Sequence, residues 1–74
     1  MNHEEELDCQ GLSCPMPIVK IAKKIKKMKG GEALKVTAND PAFRADLEAW
    51  CNKLGHALES FEDGPVQTAV VRKV

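Results

Sequence analysis

Aromatic side chains are scarce in this chain: there is no tyrosine, one tryptophan and two phenylalanines. Proteins that grip single-stranded nucleic acid stack its bases on such rings, so their scarcity argues against that class. Excess charge is lacking too. Eleven Lys and Arg balance eleven Asp and Glu, for a formal net charge of zero, which argues against bulk electrostatic attachment to nucleic acid. No hydrophobic run approaches the roughly 20 residues of a membrane span. The acidic start lacks the apolar core of a signal peptide, so a cytoplasmic protein is expected. Cysteines are few and odd in number, three in all. A secreted disulfide framework uses an even set, so reduced thiols are expected.

Other chemistry is missing as well. There is no Gly-rich phosphate loop and no Ser/His/Asp arrangement to argue for. Cys9 and Cys14 with one histidine fall short of the four tightly spaced ligands of a zinc site, so neither metal nor cofactor is expected. His3 falls in the N-terminal tail, and His56 reads as a surface or strand-start residue. Without an evident general base, relay of a group activated elsewhere is simpler than multi-step catalysis.

What is present fits one domain of 74 residues. A domain this small hides only about 60% of its unfolded surface, which places any chemistry at the surface. Residues 1–5 read as a frayed tail. Leu7 and Cys9 alternate with Asp8 and Gln10 as a short strand, and Gly11 permits the turn after it. Ile18, Ile21, Ala22, Ile25 and Met28 form an apolar stripe on a helix from about Pro15 to Lys29, stopped by Gly30-Gly31. Leu34, Val36 and Ala38 mark a second strand. Asp40-Pro41 reads as the start of a second helix, with Asp40 as N-cap. Its buried face is Phe43, Leu47, Trp50, Cys51 and Leu54, and Gly55 ends it. His56 to Glu62 and Val66 to Val74 read as strands joined by the turn Asp63-Gly64-Pro65. Their alternation is imperfect and leaves the buried faces unassigned. The order βαβαββ implies a two-layer α/β sandwich: a mixed four-stranded sheet, both helices on one face, and a closing hairpin.

Charge is segregated within this plan. Glu4, Glu5, Glu6 and Asp8 make the start acidic, whereas Lys20, Lys23, Lys24, Lys26, Lys27 and Lys29 load the first helix. Such a run is either a solvated face or a dock for an acidic partner, with Lys20, Lys23 and Lys24 nearest the helix start.

The helix start holds the most pointed chemistry. Cys14-Pro15-Met16-Pro17 reads as N-cap, N1, N2 and N3. Proline suits the first turn, where N–H groups have no intrahelical partner. The N–H groups of Met16 and Ile18 are left to face the sulfur. The positive helix end favours an anion and lowers a thiol pKa. Cysteine is not a preferred N-cap, so its place here calls for another reason. Cys51 shares an apolar stripe and reads as core. Cys9 reads as a buried strand residue, with a second role open as a thiol that resolves a persulfide on Cys14.

Leu7-Asp8, Gly11-Leu12 and Cys14-Pro15-Met16-Pro17 together resemble the opening signature of the TusA/SirA sulfur-carrier family. The likeness continues through Asn39-Asp40-Pro41 and from Trp50 to Gly55-His56. It implies the same βαβαββ sandwich, a persulfide on Cys14 presented by Gly11, Pro15, Met16 and Pro17, and relay to an acceptor protein. A monomer is expected, and the resemblance further implies a sulfur donor such as a cysteine desulfurase or a rhodanese-like protein. Two alternatives remain at this stage: a regulatory or RNA-contacting binding module, and a Cys9/Cys14 thiol redox protein.

Overall fold

Side-chain alternation decides which face each strand turns inward. In the computed structural model, which describes residues 4–74, β2 (Ala33–Ala38) buries Leu34, Val36 and Ala38 and leaves Lys35 and Thr37 half-buried on the opposite face. β1 (Glu5–Asp8) runs parallel to it, and β4 (Gln67–Arg72) antiparallel on its other side. β3 (Ala57–Glu62) completes the sheet in the order β1-β2-β4-β3. Helices α1 (Met16–Lys26) and α2 (Phe43–Leu54) cover one face. Ile21 and Ile25 of α1 and Phe43, Leu47 and Cys51 of α2 pack with Leu34, Val36, Ala38, Ala69 and Val71 into one core. The expected two-layer sandwich is present.

The irregular pattern of the last two strands has a local cause. Leu58 pairs with Val71, Ser60 with Val70 and Phe61 with Ala69, so a bulge leaves Glu59 as the extra residue. Directly opposed residues share a face. Leu58 and Phe61 therefore both turn toward the helices although they are three residues apart, and both pack on the core. In β4 the run Ala69-Val70-Val71 is apolar throughout. Val70, opposite Lys35 on the other face, is only 5% exposed.

Several element ends differ from the sequence reading. Glu4 and Glu5 are not a frayed tail. Glu5 opens β1, the Glu4 N–H donates to the Ala33 carbonyl at 3.0 Å, and the Glu4 carboxylate accepts the Ala33 N–H at 2.7 Å. Residues 1–3, including His3, lie outside the described residues. α1 stops at Lys26 rather than Lys29. The N–H groups of Lys27 and Met28 bond three residues back, to Lys24 and Ile25, which tightens the last turn before the chain leaves the helix. The Lys73 ammonium reaches the Met28 carbonyl at 2.6 Å and satisfies one orphan acceptor there. Leu54, expected in the core, is the last residue of α2 and is 50% exposed. Trp50 is half-buried and stacks on His56, ring centres 5.0 Å apart. β3 starts at Ala57 rather than His56, and β4 spans Gln67–Arg72 rather than Val66–Val74.

Candidate functional site

β1 and β2 are parallel, so their carboxyl ends open on the same edge of the sandwich. The loops leaving them, one toward α1 and one toward α2, must meet there. Ligand chemistry in open α/β sheets gathers at such carboxyl ends. Asp8 closes β1: its carboxylate accepts the Gln10 N–H and the Thr37 hydroxyl, each at 3.0 Å, and these bonds hold it below the usual carboxylate range. The chain then turns at Gly11, whose φ of 82° suits glycine. The Gly11 N–H donates to the Asn39 side-chain oxygen at 2.9 Å, and the Cys14 N–H donates to the Asp40 carboxylate at 3.2 Å.

Asp40 is therefore not the N-cap expected of it. Ala42 occupies that position, and the Asp40 carbonyl accepts the Phe43 N–H in the turn before the helix. The Asp40 carboxylate is spent on the neighbouring loop instead. Cys14 is shifted as well. Pro15 is the N-cap, Met16 and Pro17 are the first two helical residues, and the Cys14–Pro15 peptide is cis. The Met16 N–H bonds to the Ser13 carbonyl at 2.9 Å, so it does not serve the sulfur. Pro15 is exposed, but Pro17 is fully buried and belongs to the core as much as to the presentation of the cysteine.

Cys14 is exposed, while Cys9 and Cys51 are buried, and all three are free thiols. Asp46 stands in the first turn of α2. Hydrogen bonding toward the Asp46 carboxylate holds the Cys14 thiol above its ordinary range, and partial loss of hydration and the charges of Asp46 and Asp40 push the same way. The helix end was expected to lower this pKa. A helix terminus carries about half a charge, and two full carboxylate charges outweigh it. Asp46, Asn39 and Asp40 are the site residues that the sequence reading missed. The only signal was Asn39-Asp40-Pro41 itself, whose obvious use was as a helix start.

Burial pushes Cys51 up to about 11. Burial also raises Cys9, whose sulfur faces the Pro17 carbonyl at 4.0 Å with no solvent exposure. The candidate docking lysines differ among themselves. Lys24 is paired with Glu5 at 2.8 Å, Lys20 reaches the Asp8 carbonyl at 3.4 Å, and Lys23 is exposed. Beside them Met16 and Val19 expose 47% and 37% of their surface on the first turn after the cysteine. Among the described residues no group of three or more His, Cys, Asp or Glu is placed to hold a metal ion, and no helix is long and apolar enough to cross a membrane.

A family model described as sulfurtransferase TusA matches residues 5–73. A putative sulfur carrier protein of Bacillus subtilis, YrkF, is 46% identical over 68 residues, which are 90% of this chain and 37% of that protein. A putative sulfur carrier protein of Aquifex aeolicus is similarly long, so the chain spans about a third of these two relatives, 37% and 32%. A second Bacillus subtilis protein, the putative sulfur carrier YrkI, is 36% identical with 99% of both chains covered. The crystal structure of a SirA-like protein from Desulfitobacterium hafniense superposes with a TM-score of 0.79 at 18% identity, covering 93% of this chain and 96% of that one. At that identity the match speaks for the fold.

Proposed function

The chain belongs to the TusA sulfurtransferase family, and from that premise we propose that it is a sulfur carrier whose cargo rides as a persulfide on Cys14. One observation carries the assignment: Cys14 is the exposed cysteine, held where the carboxyl ends of two parallel strands open, while Cys9 and Cys51 are buried.

The transfer balances without an added oxidant. The Cys14 thiolate attacks the terminal sulfur of a donor protein's cysteine persulfide. A new S–S bond forms as the donor's S–S bond breaks, the donor cysteine leaves as a thiolate, and the Cys14 proton passes to solvent. Discharge is the same step in reverse order: an acceptor thiolate attacks the terminal sulfur on Cys14, which departs as thiolate. The residues 1–74 act here as one carrier domain, monomeric and cytoplasmic, between a donor of the cysteine desulfurase or rhodanese type and a sulfur-accepting protein. The donor docks over Met16, Val19, Lys20 and Lys23, because anything that reaches the sulfur must cross the start of α1.

A Cys9–Cys14 redox couple is disfavoured by the complete burial of Cys9. Intact mass after incubation with a protein persulfide donor tests the reading. The wild type should gain one sulfur atom and Cys14→Ser none. Sulfur on the serine variant, or loss of two hydrogens from the wild type, overturns it.

A further inference from the structure

We propose that Trp50, Leu54, His56 and Val74 form a second docking surface, at the end of the sandwich away from Cys14, for an acidic apolar segment of a partner protein. Such a surface stands whether or not Cys14 carries a persulfide.

The exposed large apolar side chains fall in separate places. Met16 and Val19 follow Cys14, and Val66 lies in the turn between β3 and β4. Leu54 and Val74, at 50% and 70%, are the most exposed of the five. Both adjoin the chain's one tryptophan and its histidine partner. Leu54 follows Trp50 by one helical turn and shares its side of α2. The Trp50 ring packs on the core from within and rests on His56, ring centres 5.0 Å apart. The His56 Nδ1 accepts the Val74 N–H at 3.2 Å, which brings Val74 beside the same pair. Single apolar residues on a surface are ordinary, whereas a contiguous group around a fixed aromatic ring is the usual anchor of a protein interface.

Charge names the occupant. Lys53, three residues after Trp50 on the same side of α2, is exposed. The Lys73 ammonium crosses to the Met28 carbonyl at 2.6 Å, and Lys27 and Lys29 stand exposed on either side of Met28. The acids at this end are committed elsewhere. Glu32 accepts the Lys29 N–H at 2.7 Å, Glu4 accepts the Ala33 N–H at 2.7 Å, and Glu59 pairs with Arg72. Among the described residues none of Lys27, Lys29, Lys53 and Lys73 is in an ion pair. An apolar patch with a basic rim takes a segment that sets leucine or phenylalanine among aspartates and glutamates. A lipid surface fits less well, because Trp50 is half-buried against His56 and its ring is not free to insert. The 12 residues of α2 make a rod of about 18 Å. Cys14 is tied to Asp40 just before the start of that rod, and the patch lies at its end. A partner held there leaves the sulfur uncovered, so the carrier stays bound while Cys14 meets a donor or an acceptor.

The single tryptophan makes the patch its own reporter. A displayed random-peptide library is selected on the full chain, and the enriched peptides are titrated against it by Trp50 fluorescence. The peptides should combine apolar residues with Asp and Glu and should shift the emission. Leu54→Ser and Lys53→Glu should each weaken binding by about tenfold, the scale of an interface anchor. Both positions are exposed, so both variants should keep the fold. Salt should weaken binding to the wild type more than to Lys53→Glu. Alkylation of Cys14 should run at the same rate with peptide bound. Enriched peptides without acidic residues, unchanged affinity in both variants, or protection of Cys14 by the peptide would overturn the proposal. So would a library that enriches nothing while phosphatidylglycerol vesicles shift the Trp50 emission, which would mark a lipid surface instead.

Discussion

The Gly11 N–H donates to the Asn39 side-chain oxygen across 2.9 Å, joining the loop that carries Cys14 to the loop that leads into α2. The bond exists because parallel β1 and β2 end side by side. Asn39→Ala should lower stability by about 0.5–1.5 kcal/mol, the net worth of one hydrogen bond. Sulfur uptake should slow by more than this loss of folded protein accounts for, because the cysteine loop loses one of its two ties. Urea unfolding and uptake kinetics on the same variant measure both.

Thiol reactivity should rank by exposure. In the folded protein Cys14 should label first, while Cys9 and Cys51 react only through unfolding. Cys51→Ser should still accept sulfur but lose about 1–3 kcal/mol, the cost of burying a hydroxyl in an apolar site. Peptide mapping after timed alkylation checks the order, and fast labelling of Cys51 ahead of Cys14 would contradict it.

Much of the architecture was legible because it rests on local periodicity. Leu34, Val36 and Ala38 announce a strand, and Ile18, Ile21 and Ile25 a helix, whatever the rest of the chain does. The misreadings share a different origin. Asp40 satisfied a local rule for helix starts, yet its carboxylate serves Cys14, a partner brought near only by strand pairing. Asp46 lies far from Cys14 in sequence and carries no motif, so its influence on the thiol was invisible there. Leu58 and Phe61 share a face only through the bulge at Glu59, which no alternation rule anticipates.

The lysines of α1 should not contribute equally to docking. Lys24 is paired with Glu5 and Lys20 is held at the Asp8 carbonyl, while Lys23 is exposed. Lys23→Glu should slow sulfur transfer several-fold at low salt and little at high salt, because steering by exposed charge is screened. Lys24→Glu should instead cost stability by placing like charges opposite each other beside Glu5, by less than about 1 kcal/mol for so exposed a pair. Equal transfer rates for Lys23→Glu and wild type at low salt would mark the lysine face as solvated surface only.

His56 makes stability depend on pH in a stated direction. Loss of hydration, and then the nearby charge of Lys73, hold its pKa below the ordinary 6.5. The imidazole stacks on Trp50, and its Nδ1 accepts the Val74 N–H at 3.2 Å, which needs the neutral ring. A depressed histidine pKa means the unfolded chain takes up the proton first. The stabilising contribution is full above pH 6.5 and is lost as pH falls through the folded value. Thermal melts should show a falling Tm from pH 7.5 to 5.5 in the wild type, and a flatter dependence in His56→Gln over the same range.

Pro17 tests whether the proline-flanked cysteine motif is only a device for presentation. Pro17 is fully buried at the second helical position, and its carbonyl faces the buried sulfur of Cys9 at 4.0 Å. Its ring therefore fills space in the core, while its missing N–H costs nothing in the first turn. Pro17→Ala removes two buried methylenes, worth about 0.8 kcal/mol each. It also frees the unfolded chain, a further loss of about 0.4–1 kcal/mol. Together the variant should lose about 2–3 kcal/mol, a large share of the 5–15 kcal/mol typical of a whole domain. The added N–H at the second helical position brings no compensating intrahelical bond. Alkylation of Cys14 in the folded fraction should change little, since Cys14 stays exposed and its N–H stays tied to Asp40. Chemical denaturation gives the stability, and alkylation under native conditions gives the reactivity. A fully stable variant with altered Cys14 reactivity would reverse the assignment and make Pro17 a presentation residue.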